Sequence, residues 1–177
     1  MPEARAPSKS ELLEALRASG DEVLRLVRAL PAGRLEEGRY ENGWNGRQIL
    51  AHLASIEWTY PRLIDIARDA PAAGSGATEA TAGGDAPTRG MRGGNDAYND
   101  RQVAKRAHLS AADLLAEFER NRAATIAAVE AAEDELLARR IRSAGGVTGP
   151  LALVFHQVAV LHVLGHARDI AGTPSPP

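Results

Sequence analysis

Apolar residues in this chain recur at the spacing of helices and nowhere at the spacing of strands, which restricts the fold to packed helices. Leu12, Leu16, Val23, Leu24, Val27 and Leu30 form the first stripe. Ser8 and Glu11 in front of it read as a capping box, Gly20 weakens the helix locally, and Pro31-Ala32-Gly33 ends it. Asn45 and Gln48 open a second stripe of Ile49, Leu50, Leu53, Ile56, Tyr60, Leu63, Ile64 and Ala67, which reaches about residue 69. Pro61 lies inside it and is predicted to kink or divide the helix. A short helix capped by Asn99 is predicted over 98–107. Ser110 caps the third long helix, with Leu109 and Leu114 as a hydrophobic staple and Leu115, Phe118, Ile126 and Val129 on its core face. Asp134 caps a further turn over 135–139. Gly145-Gly146 and Thr148-Gly149 break the chain, and the fourth long helix runs from Pro150, a favourable first-turn residue, to Ile170. No strand or repeat is read, so the expected fold is an all-α four-helix bundle.

Residues 70–96 show no period and are dominated by Ala, Gly, Thr and Pro. A connection this long reads as a flexible functional loop. It can serve as a crossover that lets helices two and three run parallel, giving the order up-down-down-up. The domain reading is one bundle over 8–171, with flexible tails at 1–7 and 172–177.

Length suits one domain that folds without staples. The absence of cysteine excludes a disulfide framework, a thiolate zinc knuckle and a cysteine nucleophile, so any thiol in the chemistry comes from outside. A net charge of −2 lacks the footprint of a nucleic-acid binder. Neither a signal core nor an apolar run of membrane-spanning length is read, so the expected place is the cytoplasm. The basic residues are nearly all arginine and alanine is abundant, a bias that fits a GC-rich bacterial genome.

The chemistry is concentrated in histidine. His162 and His166, in H-V-L-G-H, are four apart, which on a helix is ~40° in azimuth and ~6 Å in rise. They can share one cation. His156 lies ~9 Å and ~15 Å from them along the axis and is excluded; His108 sits at a helix boundary, as a surface or capping residue. His52 falls in the second turn of helix two, and the pair falls in the last two turns of helix four. If those helices are antiparallel, all three reach the same end of the bundle. Three neutral imidazoles leave an open position, with zinc the default and nickel, iron or manganese compatible. The competing reading is that these are satisfied core histidines. Glu57 and Asp169 are candidate supporting acids. Glu57, five after His52, does not share its face and more readily caps a helix or pairs with arginine; Asp169, three after His166, can hydrogen-bond its ring or be solvated. Asn99 and Arg101, beside the flexible loop, are candidates for binding an anionic substrate, or else a cap and a solvated arginine. Trp44 and Trp58 read as core or pocket wall.

The stretch W-N-G-R-Q-I-L-A-H-L-A-S-I-E with the later V-L-H-V-L-G-H-A-R-D-I resembles the DinB/YfiT-like metalloenzyme superfamily. N-D-R-Q-V-A-K-R-A-H-L-S-A-A-D-L-L resembles, within it, the metal-binding domain of the mycothiol-dependent maleylpyruvate isomerase branch. The resemblance covers residues 9–171. It implies an up-down-down-up four-helix bundle, a metal triad of His52, His162 and His166, and homodimers. That branch often has glutamate where this chain has His162, so three histidines match the wider family. The chain also ends at Pro177, before that branch's second domain would follow. Maleylpyruvate isomerisation is therefore not expected; from the metal triad and the family's thiol transferases, the expected function is a metal-dependent transferase joining a low-molecular-weight thiol (mycothiol or bacillithiol) to a small electrophile, with 70–96 as a lid. The alternatives are a non-catalytic stress-induced dimerising bundle, whose metal is structural or absent, and a metal-dependent hydrolase.

Overall fold

The six expected helical stretches survive, the second divided in two, and among the described residues three short strands join them. The computed structural model describes residues 5–31, 33–37, 43–70, 80–81 and 94–172. The expected tails at 1–4 and 173–177, and most of the expected 70–96 loop, lie outside these.

Helix α1 is Lys9–Arg28, and its capping box is formed as read: Ser8 Oγ accepts from Glu11 N–H, and Glu11 accepts from Ser8 N–H. The second stripe divides at its proline into α2, Gly46–Glu57, and α3, Arg62–Asp69. Helix α4, Gly94–Lys105, begins earlier than predicted, so Asn99 lies inside it and caps nothing. Weak apolar periodicity over 94–100 left that boundary unmarked. Helix α5, Ala111–Ala131, starts from Ser110 as read. The short α6, Asp134–Leu137, is preceded by Glu133 at the cap position in place of Asp134.

The region read as a simple break holds strands. β2, Arg140–Arg142, and β3, Thr148–Pro150, form an antiparallel hairpin, and β1, Ala80–Thr81, pairs parallel with β2. Strands of two or three residues show no alternation, so the sequence could not reveal them. Ile141 is the buried residue of β2, and the turn at Gly146 (φ 85°) requires glycine.

The C-terminal rod is continuous over Leu151–Ala171 but not uniform. It consists of α7, Leu151–Phe155, a π-helical turn, His156–Leu161, and α8, His162–Ala171. By length and apolarity alone this rod could cross a membrane, which corrects the expectation that no run is long enough. Its apolar residues have another destination: Leu151, Val154, Phe155, Ala159, Val163, Ala167 and Ile170 are buried in the common core.

Helix α8 packs on α1 and α2, and α5 packs on the same two helices, so these four rods enclose the core. Leu12, Leu16, Leu50, Leu53, Phe118 and Phe155 are fully buried there. Each such side chain contributes roughly 1.5–3 kcal/mol. Helix α4 lies against α2, and α3 against α6 and α7.

Candidate metal centre

The start of α2 is fixed from both directions. Asn45 Oδ1 accepts from Gln48 N–H at 3.0 Å, and Gln48 Oε1 accepts from Asn45 N–H at 2.9 Å. Just inside, Gly46 lies so near Leu35 that a Cβ would sit 3.2 Å from its backbone. The helix is thereby seated before it reaches His52 in its second turn.

His52 is buried, His166 half-buried and His162 exposed. The ring centroids are 5.9 Å apart for His52 and His162, 5.2 Å for His52 and His166, and 4.5 Å for His162 and His166. The rings stand nearly perpendicular, with interplanar angles of 84°, 86° and 81°. One nitrogen from each ring falls within 4.8 Å of the other two. Imidazole nitrogens on a tetrahedral zinc are ~3.3 Å apart, so small ring movements would close the set.

Electrostatics keep this cluster neutral. Burial, then repulsion from His166 and His162, holds His52 down to about 3. Burial and His166 hold His162 at about 4. Burial lowers His166 as well, against the opposing pull of Asp169. At neutral pH all three therefore offer lone pairs. Buried Nδ1 atoms of His52 and His166 find no hydrogen-bond partner among the described residues. An unsatisfied buried polar atom costs about 1–3 kcal/mol, a penalty that coordination or a small shift in side-chain position must relieve. The donor set and its unsatisfied nitrogens fit a divalent cation.

The other candidates separate. Asp169 Oδ2 lies 3.7 Å from His166 Nδ1, close enough to bias the ring electrostatically but too far for a hydrogen bond. Glu57 is fully buried away from the triad and pairs with Arg122 at 2.9 Å, as the arginine alternative anticipated. Burial lifts its carboxyl to about 7 against the pull of Arg122. On α4, Asn99 is half-buried and Arg101 exposed. Also on α4, Asp100 accepts from Trp44 Nε1 at 3.2 Å. Trp44 in turn stands 5.2 Å from the His52 ring, as a wall of the site. Trp58 is no wall: it is 60 % exposed, because α2 ends at Glu57 and turns it outward. His156 is half-buried outside the cluster and His108 exposed, as read.

Sequence reasoning missed Arg122 and Tyr60. The signal for Arg122 was present: it falls at helical spacing between Phe118 and Val129, on a face that is otherwise buried.

A cavity of 240 Å³ between α2 and α4 is lined by Trp44, Gln48, Ala51, Asp100, Val103 and Arg106, among others. Trp44 borders both this space and His52.

Three solved structures share the fold. The mycothiol-dependent maleylpyruvate isomerase superposes with a TM-score of 0.68 at 17% identity, covering 93% of this chain and 61% of that one. A histidine-to-alanine mutant of that isomerase gives 0.68 at 16% identity, over 96% and 62%. YfiT from Bacillus subtilis, described as a probable metal-dependent hydrolase with an unusual four-helix bundle topology, gives 0.67 at 14% identity, over 97% and 89%. The chain thus spans about six-tenths of the isomerase's length. No curated protein sequence matches it. The DinB superfamily profile matches residues 15–170, nearly the whole helical bundle, and the chain belongs to that superfamily.

Proposed function

We propose that His52, His162 and His166 hold one divalent cation, zinc before nickel, iron or manganese. On this reading the protein transfers a low-molecular-weight thiol, mycothiol or bacillithiol, to a small electrophile. The observation that carries it is the set of three imidazole donors within 4.8 Å, buried on the His52 side and exposed at His162. Three protein ligands leave a coordination position, whereas structural zinc sites are closed by four. A cation bound there would supply Lewis acidity, favouring the thiolate form of a thiol or the ionisation of water. His52 anchors the site from the core, and His162 borders the solvent side by which a substrate would enter. Trp44 supplies an apolar wall beside it. An up-down-down-up order would bring His52 to residues from the far end of the sequence. The isomerase of similar fold is named for its mycothiol dependence, which supports the choice of thiol.

Hydrolysis is the second reading. It is favoured by the Asp169 carboxylate beside His166, a base that could take a proton from water, and by the description of YfiT. A homodimer in the cytoplasm, binding small molecules rather than nucleic acid or membrane, completes the proposal. Exposed Trp58 and Leu161 supply apolar surface for the dimer.

The test is metal analysis of the purified protein, with thiol-conjugation and ester-hydrolysis assays on the wild type and His52→Ala. We expect one metal per chain, lost in His52→Ala together with conjugation. Metal-free wild-type protein, or conjugation unchanged by His52→Ala, would overturn the reading. Hydrolysis without conjugation selects the second.

A further inference from the structure

The metal triad leaves one buried polar cluster unexplained, and that cluster ends on the helix turn that delivers the histidines. Arg122, 4% exposed, crosses from α5 beneath α1. Its Nη1 donates to Leu16 O at 3.3 Å and Ser19 Oγ at 3.2 Å; its Nη2 donates to Glu57 Oε2 at 2.9 Å and Ala159 O at 2.9 Å. Gly20 provides the passage, since a Cβ there would meet Arg122 Cγ at 3.3 Å. Tyr60 donates its hydroxyl to Val158 O at 2.6 Å. A buried ion pair is weak evidence for stability, because apolar replacements often do as well.

Val158 and Ala159 are consecutive, and both lie in the π-helical turn His156–Leu161. In that turn His162 N–H donates five residues back, to Gln157 O. Such a wide turn leaves backbone carbonyls short of intrahelical donors. Here two side-chain donors from other elements fall on neighbouring carbonyls. The turn also inserts one residue, which rotates everything after it by about 100° relative to a continuous α-helix. His162 is the first residue beyond it and His166 the next turn on.

We propose that Arg122 and Tyr60, with Glu57 orienting Arg122, are positioning residues for the histidine site: they hold the π-helical turn that aims His162 and His166 at His52. The proposal rests on the metal reading only for its metal readout. Its geometry can be tested without metal.

The experiment uses the full chain, with Tyr60→Phe and Arg122→Lys. Val129→Ala, a core truncation two turns along α5 from Arg122, serves as the stability control. Cobalt(II) is titrated while the visible ligand-field bands are followed, and thermal unfolding is recorded in parallel. Ring-to-ring proton NOEs among His52, His162 and His166 are measured in the metal-free protein. We expect Tyr60→Phe to fold, to shift the cobalt bands, and to weaken cobalt binding by about tenfold. Its metal-free NOEs from His52 to the pair should weaken too. Val129→Ala should lose stability yet keep the wild-type bands, affinity and NOEs. Tyr60→Phe with wild-type bands, affinity and NOEs would overturn the proposal; Arg122→Lys, where it folds, is judged the same way. Altered bands in Val129→Ala to the same degree would overturn it as well, by showing general loosening. A wild type that binds no cobalt refutes the metal reading, and the NOEs still decide the positioning role.

Discussion

The three triad imidazoles differ in exposure, and this gives the site a defined response to pH. His52 is held to about 3 and His162 to about 4, below the ordinary value of 6.5. A histidine whose pKa falls on folding contributes stability above its unfolded value and loses it as pH falls towards the folded one. In metal-free protein the histidines should lower the urea midpoint as pH falls from about 6.5 to 4, opposed in part by Glu57, whose carboxyl at about 7 adds stability as it protonates. His52→Gln should remove part of that histidine contribution; a pH dependence of the midpoint from 7.5 to 4.5 identical in His52→Gln and wild type would contradict the assignment. Metal uptake by the folded protein should persist to lower pH and weaken as pH falls towards the folded values, about 4 for His162 and about 3 for His52, where protons compete for the lone pairs. At this scale the sequence was informative. Spacing paired His162 with His166 and excluded His156. The residues it could not yield were those whose role depends on another helix: Tyr60 on Val158 and Arg122 on Ala159.

Among the elements, local chemistry predicted starts better than interiors. Ser8, Asn45 and Ser110 cap where expected because the cap hydrogen bonds are made within four residues. Pro61 divides α2 from α3 for an equally local reason. The π-helical turn had no such signal, since His156–Leu161 reads like ordinary helix. Its conformation is supported by donors from α5 and from the segment between α2 and α3. The end of α8 is local again: Gly172 closes it at φ 70°, and a Cβ there would meet Arg34 Nη2 at 2.6 Å. Gly172→Ala should cost about 1 kcal/mol through the positive φ alone. Chemical denaturation of the metal-free protein measures this, and an unchanged midpoint would show that the cap relaxes elsewhere.

For the molecule as a whole, the site draws its ligands from two of the four packed rods, so a bound cation would act as a cross-link between α2 and α8. Free metal at a hundred times its dissociation constant stabilises by about 2.7 kcal/mol. For a protein of this size that is roughly a 5–10 °C rise in Tm. Chelation of the loaded protein should remove the increment, and His166→Ala should never show it. An identical Tm with and without chelator would place any bound metal elsewhere. The global fold was legible because helical periodicity extends over most of the chain, whereas the β2–β3 hairpin, only a few residues long, was not.

The chain has two tryptophans, and the structure assigns them opposite surroundings. Trp58 faces solvent, while Trp44 stands 5.2 Å from the His52 ring. The protein therefore carries its own optical gauge of occupancy. A paramagnetic ion such as cobalt(II) bound beside Trp44 should quench one emission component and spare the red-shifted one from Trp58. Trp44→Phe should abolish the quenching while leaving the cobalt bands in place, and quenching that persists in this variant would assign the signal to Trp58.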